Sequence, residues 1–241
     1  MDTSISVALS AQRALLHQLD VVANNVANAN SVGFRAEKAD FSTVLSNATP
    51  DRTNFVEVTK VHVREAEGPK FQTDNPMDVA ISGEGYFSLQ TPAGQIFTRD
   101  GRFKVSPFGE LQSLEGFGVL DAGGAPIVLE KGGSDLTIHP DGRVREAGKL
   151  VGNIGVFNLP EDQISARYGN TAFTAKTPPN AIALGSSTSL TQGFLEGSNT
   201  DPLKELANLI TVQRSFDSVS SMIEKADAAM EKSITELARR G

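Results

Sequence analysis

Leu209-Ile210-Thr211-Val212-Gln213-Arg214-Ser215-Phe216-Asp217-Ser218-Val219-Ser220-Ser221-Met222-Ile223 places Leu209, Val212, Phe216, Val219 and Ile223 three or four residues apart, and Ala226 and Met230 carry the step onward. That spacing gathers apolar side chains on one face of a helix, whereas a half-buried strand would alternate with a period of two. The other end of the chain does the same. Ile5, Leu9, Leu16, Leu19, Ala23 and Val26 share a face, with Gln12 as the one polar break. A second row, Ala8, Leu15, Leu19, Val22, Val26 and Ala29, widens this stripe beyond a two-stranded seam. Most of the chain lies between the two helices, so they are not a local hairpin. Each stripe needs a cover, and the layout suggests a subunit made for assembly.

The stretch between the helices reads as strand and turn. Phe55, Val58 and Val61 open it. Met77–Ile81 is followed by Gly83-Glu84-Gly85 and then Tyr86, Phe87 and Leu89. Thr91-Pro92-Ala93-Gly94 is a turn, and Asp100-Gly101 is a dipeptide favoured in tight hairpins. Asp100-Gly101-Arg102-Phe103 with Gly109-Glu110-Leu111 is echoed by Asp141-Gly142-Arg143-Val144 with Gly148-Lys149-Leu150, which predicts two similar hairpins. Short strands without intervening helices favour an antiparallel barrel or sandwich. The expected fold is therefore α+β, with long N- and C-terminal helices forming a coiled-coil-like α domain and an antiparallel β-rich middle.

Local signals mark the helix ends. Asp2, Thr3 or Ser4 can cap the first helix. Gly33 suits the left-handed residue that often closes one. Asn24 and Asn28 stand four apart, so their amides stack on one face and are expected to make polar contacts in a packed assembly. Asp201-Pro202 opens the second helix, Glu205 favours its positive start and Arg239-Arg240 its negative end.

With 22 basic and 29 acidic residues in 241, the net charge of −7 argues against nucleic-acid binding, which needs clustered Lys and Arg. No apolar run is long enough to insert in a membrane. Met1-Asp2-Thr3-Ser4-Ile5-Ser6 lacks the positive start of a cleaved secretory signal, and Gln12, Arg13 and His17 interrupt what would be its apolar core. Cysteine is absent, which excludes disulfides and thiolate metal sites. That absence suits a cytosolic protein and one exported unfolded equally well.

A search for chemistry finds nothing built. His17, His62 and His139 stand far apart without ligand spacing, and the glycines match turns better than phosphate cradles. Asp121-Ala122-Gly123-Gly124 is too short for a calcium loop. Asp74 with Asp78, or Glu84 with Asp100, can in principle form a glycosidic pair, but any β domain this rich in acids offers such pairs. No enzyme, catalytic residue, metal site or cofactor is expected.

Three motifs then give a resemblance. Leu19-Asp20-Val21-Val22-Ala23-Asn24-Asn25-Val26-Ala27-Asn28-Ala29-Asn30, with Gly33-Phe34-Arg35, is similar to the N-terminal signature of the flagellar rod and hook proteins. Gly85-Tyr86-Phe87, Thr91-Pro92, Gly94, Phe97-Thr98-Arg99-Asp100-Gly101 and Phe103 resemble the central β motif of that family. Gly193-Phe194-Leu195-Glu196-Gly197-Ser198-Asn199, then Leu209-Ile210, Gln213-Arg214 and Phe216, resemble its C-terminal signature. Thr200 departs from a commonly branched apolar position, and Asp217 from a usual Glu.

The resemblance implies a structural subunit of the proximal rod of the bacterial flagellum, with a distal-rod subunit as the alternative; apart from the resemblance, a periplasmic wall-cleaving hydrolase using a carboxylate pair of the β domain is a remoter reading. It implies terminal helices that form an inner tube and a β domain outside them. Its expected partners are other rod proteins, copies of itself and the flagellar export apparatus, with delivery to the periplasmic rod without signal cleavage. The expected domains are 1–35, an extended connection at 36–75, a β-rich outer domain at 76–199 and a C-terminal helix at 200–241. The expected subunit interface is Ile5, Leu9, Leu16, Leu19, Ala23, Asn24, Val26, Asn28, Leu209, Val212, Phe216, Val219, Ile223 and Met230.

Overall fold

The computed structural model describes residues 2–46, 53–130 and 135–240. The chain divides into two compact units. One comprises Met1–Ala27, Glu37–Arg64 and Asp201–Gly241; the other comprises Asn28–Ala36 and Glu65–Thr200.

The first unit holds α1 (Asp2–Ala27), the antiparallel hairpin of β1 (Glu37–Ser46) and β2 (Thr53–Val63), and α2 (Pro202–Arg240). Helix α1 packs against α2 and against both strands. Gln12, the polar break of the stripe, donates from Nε2 to Ser220 Oγ at 3.0 Å and so joins the two helices. Asn25 ties α1 to the hairpin. Its Nδ2 donates to the Glu37 carbonyl at 2.7 Å, and its Oδ1 accepts the Glu37 N–H at 2.9 Å. At 1% exposure these two bonds form away from competing water. On α2, Val212 is buried, and Leu209, Phe216, Val219, Ile223, Ala226 and Met230 lie half-buried along one face. Glu205 is buried in its first turn and pairs with Arg64 at 2.8 Å.

This arrangement corrects the expected coiled-coil-like α domain. The described residues contain only these two α-helices, most of the remaining regular structure is antiparallel β, and no long coiled coil forms. A supercoil needs an unbroken seam facing a partner helix. Here α1 shares its packing between a helix and a hairpin, burying Ala14, Val21 and Val22 while Leu9 and Leu16 remain exposed. The α+β class itself holds. Within the stretch expected as an extended connection, residues 37–46 and 53–63 pair as β1 and β2. The first helix also stops at Ala27, before Gly33. The Asn28 carbonyl receives the Ser31 N–H at 3.1 Å, so the chain turns there.

The second unit carries β3 (Lys70–Gln72), β4 (Val79–Ser82), β5 (Tyr86–Thr91), β6 (Gly94–Thr98), β7 (Phe103–Val105), β8 (Leu111–Ser113), β9 (Gly118–Val119), β10 (Leu136–Ile138), β11 (Arg143–Glu146), β12 (Lys149–Asn153), β13 (Val156–Phe157), β14 (Ile164–Tyr168), β15 (Ala172–Ala175), β16 (Ser189–Gln192) and β17 (Phe194–Glu196). Eight of them make one open sheet in the order β14-β15-β6-β5-β9-β8-β7, with β13 also paired to β5. Strands β10-β11-β12 form a second sheet, and β16-β4 and β17-β3 form two pairs. The core gathers Val79, Ile81, Phe87, Leu111, Val144 and Leu190, each at most 2% exposed.

The repeated Asp-Gly-Arg motif splits in outcome. Asp141-Gly142 closes the β10–β11 hairpin, where the His139 carbonyl accepts the Gly142 N–H at 2.9 Å. Asp100-Gly101 closes no hairpin, because β6 pairs with β5 and β15 while β7 pairs with β8. In both copies the arginine returns to the aspartate: Arg102 Nε to Asp100 at 2.9 Å, and Arg143 Nε to Asp141 at 2.6 Å. The hairpins that share a design are β7–β8 and β11–β12.

Replacing Asn25 with Ala should destabilise the first unit by about 1–3 kcal/mol, because both bonds to Glu37 are lost together. Hydrogen exchange at the Glu37 amide reports it directly; an unchanged rate would show that the amide tie contributes nothing.

Candidate functional site

The three sequence motifs meet inside the second unit around one carboxylate. Glu196, in the C-terminal signature, is 1% exposed. Its Oε2 accepts from Arg99 Nη1 at 2.9 Å, and its Oε1 accepts the Gly68 N–H at 3.0 Å. Arg35 Nη2 stands 3.0 Å from Oε1 in charge contact but off the hydrogen-bonding direction. Arg35 Nη1 donates to the carbonyls of Glu65 and Ala66, and Arg99 Nη2 donates to the Gly83 carbonyl at 2.8 Å. Burial pulls the Arg99 pKa down, while Glu196 pulls it back up.

Neighbouring contacts fix the motifs against one another. The Glu196 carbonyl accepts the Gly33 N–H at 2.8 Å. Gly33 has φ +69°, and a Cβ there would collide with the backbone of Arg99 and Asp100, so only glycine fits. Gly68 is equally confined, against the Gly197 carbonyl. Asn199 Oδ1 accepts the Ala36 N–H at 2.7 Å, and its Nδ2 donates to the Ala66 carbonyl at 2.8 Å. Arg167 lies 4.8 Å from the ring centroids of both Phe34 and Phe173 and donates to the Arg35 carbonyl. The structure therefore uses Arg35, Arg99, Glu196 and Asn199 as a junction, although the sequence reading quoted them only as family motif. The available signal was an ionisable residue of opposite sign in different glycine-bearing motifs, Arg35 and Arg99 against Glu196.

The expected interface residues fall into two groups within this single chain. Leu9, Leu16, Ala23 and Asn24 are exposed; Leu19, Val26, Leu209, Phe216, Val219, Ile223 and Met230 are half-buried. Val212 and Asn28 are buried. The side chain of Ile5 lies outside the described residues. Helix α2 also exposes Leu203, Leu206, Ile210 and Met222, which the sequence reading did not select.

Of the carboxylates considered for hydrolysis, Asp74, Asp78 and Asp100 are engaged with neighbours, and Glu84 is exposed. Asp100 is held by Arg102, Asp78 accepts from Asn75 at 3.1 Å, and Asp74 accepts from Gln72. Among the described residues no cluster of three His, Asp or Glu side chains forms a metal-binding group.

Comparison with known proteins follows the same three segments. Residues 5–35 match the family described as flagella basal body rod protein, 80–146 the flagellar hook protein FlgE/F/G D1 domain, and 191–236 the flagellar basal body rod FlgEFG protein C-terminal family. These matches set the class, the structural rod and hook proteins of the flagellum. A flagellar basal-body rod protein FlgF of Mesorhizobium japonicum is 40% identical over 237 residues, covering 98% of both chains. A FlgF of Caulobacter vibrioides is 35% identical over 98% of both. A flagellar basal-body rod protein FlgG of Bacillus subtilis is 28% identical over 95% of this chain and 97% of its own. The chain belongs to the FlgF family of flagellar basal-body rod proteins.

Two substitutions test the junction. Glu196→Gln leaves two buried guanidiniums without a counter-charge and should destabilise the protein by roughly 3–5 kcal/mol in denaturant titration; a loss below 1 kcal/mol would rule out the carboxylate as the organising charge. Thr200→Val should stabilise by about 1 kcal/mol, because the Thr200 hydroxyl is buried without a partner among the described residues. A lower melting temperature for that variant would contradict it.

Proposed function

We propose that the chain is a structural subunit of the bacterial flagellar proximal rod, assembling helically through its terminal helices to carry torque across the periplasm without chemistry. Its membership in the FlgF family supports the rod assignment, and lower identity to FlgG relatives makes the distal rod the second choice. The observation that carries the assembly reading is the apolar surface left open on the helices. Within the single chain, Leu9 is 51% exposed, Leu16 46%, Ile210 52% and Leu203 78%. Covering what remains exposed of one such side chain contributes roughly 1–2 kcal/mol, and several of them together exceed the about 0–1 kcal/mol of an exposed ion pair. Apolar contact between subunits therefore outweighs surface charge as the cohesive force.

Heterologous contacts that do not close into a ring generate an open helix, the symmetry a shaft requires. In this reading residues 1–35 and 200–241 are the assembling element and 76–199 the outer domain. Leu9, Leu16, Ala23 and Asn24 meet neighbours directly. The half-buried members of the expected interface serve packing within the chain as well, and Val212 and Asn28 serve it chiefly. The partners are other rod proteins, proximal and distal, together with further copies of the chain. Export through the flagellar apparatus and a final place in the periplasm complete the proposal; the absence of cysteine is compatible with that route.

Leu9→Asp combined with Leu16→Asp should leave the melting temperature of purified protein nearly unchanged, since exposed positions usually alter stability by no more than about 0.5 kcal/mol. The same variant should abolish swimming and be missing from isolated basal bodies. Normal motility with normal incorporation would refute the role of the stripe.

A further inference from the structure

The second unit opens a cleft of about 250 Å³ beside the Gly83-Glu84-Gly85 turn, lined by Glu65, Glu84, Tyr86, Arg99, Asn158 and Leu159 among others. Its polar groups are unspent. The carboxylates of Glu65 and Glu84 are exposed and have no hydrogen-bond or ion-pair partner among the described residues. The same holds for the side-chain amide of Asn158, whose backbone N–H alone is engaged, with the Asn180 carbonyl.

Tyr86 is only 7% exposed, and its ring is fixed by Phe173 edge-on at 5.9 Å and by the Arg99 guanidinium at 5.4 Å. Its hydroxyl nevertheless finds no partner among the described residues and is open to the cleft. Buried tyrosine hydroxyls ordinarily find one. Burial raises the Tyr86 pKa, so the group stays a neutral O–H with lone pairs to offer.

Charge and size narrow the occupant. Arg99 is already committed to Glu196 and to the Gly83 carbonyl. Around the cleft, the guanidiniums of Arg35 and Arg99 are outnumbered by the carboxylates of Glu65, Glu84 and Glu196, so the vacant acceptors favour a cation. The volume suits one long side chain. The Tyr86 ring is 7% exposed, with Arg99 over one face and Phe173 edge-on, and so offers little aromatic surface on which a sugar or a base would stack. Leu159 and Pro160 supply an apolar wall for a methylene stem. A guanidinium presents five donors in one plane, which matches several dispersed oxygen acceptors better than an ammonium does.

We propose that this cleft is a socket for a single arginine side chain of a neighbouring protein subunit. Glu65 and Glu84 hold the guanidinium, the Tyr86 hydroxyl and the Asn158 amide oxygen accept its remaining N–H groups, and Leu159 covers the stem. The socket belongs to the β unit and does not depend on the helical stripes, so the two readings can fail separately.

The test uses the isotopically labelled full chain and N-acetyl-arginine methylamide. Titration should shift the amide signals of Gly83, Gly85 and Asn158 saturably. The lysine analogue should bind more weakly, and N-acetyl-aspartate and N-acetylglucosamine not at all. Glu65→Gln with Glu84→Gln should weaken the arginine probe at least about tenfold while leaving the melting temperature in place, because both carboxylates are exposed and unpaired. Tyr86→Phe should weaken it about threefold. Absence of a saturable shift, undiminished binding in the double glutamine variant, or tighter binding of the sugar or the anion would each overturn the proposal.

Discussion

A carboxylate held between two guanidiniums, with almost no water beside them, is the constraint on which the β unit rests. Glu196 is the counter-charge for both Arg35 and Arg99, and each belongs to a different motif. Buried ions are tolerated only where charge and hydrogen bonding compensate for lost hydration. Here the compensation is incomplete, since the Nε groups of both arginines are sealed without an acceptor among the described residues. The arrangement survives because the surrounding backbone leaves no alternative. Gly33 and Gly68 have no room for a side chain, and Asn199 fastens Ala36 and Ala66 on either side. Such a junction specifies one geometry more than it adds stability.

The helical unit follows a different economy. Its internal packing is sufficient to define it: Asn25 joins helix to hairpin, Gln12 joins helix to helix, and Val212 closes the inner face. Yet it leaves a row of large apolar side chains in solvent on both helices. A monomeric enzyme would have little reason to keep Leu203, Ile210 and Met222 exposed along one helix. A subunit that finishes its burial only beside its neighbours would.

Much of this was legible in the residues. The three-and-four spacing from Leu209 to Met230 gave the long helix, and the Gly-rich turns around Gly83 and Asp141 gave the strand-rich middle. The misses have physical causes. Helical periodicity reports that a face is apolar but not what covers it, so a stripe shared between α2 and a hairpin was expected to form a coiled coil. The identical Asp-Gly dipeptides at 100 and 141 diverge because Gly101 is pressed against the Val79 carbonyl, a neighbour distant in sequence. Among the asparagines, the four-residue spacing drew attention to Asn24 and Asn28 but did not single out Asn25, which makes two bonds to the Glu37 backbone. The charge junction escaped because its members lie far apart, Arg99 and Glu196 being 97 residues from each other.

That remoteness sets a timetable. Ala36 and Asn199 are joined across 163 residues, β17 pairs with β3, and β16 pairs with β4. Contacts this remote form late and slowly, because so much loop must close before they reward it. A polypeptide synthesised from its N-terminus thus has both arginines without their shared counter-charge until Glu196 has been added. The junction closes only once nearly the whole chain is present.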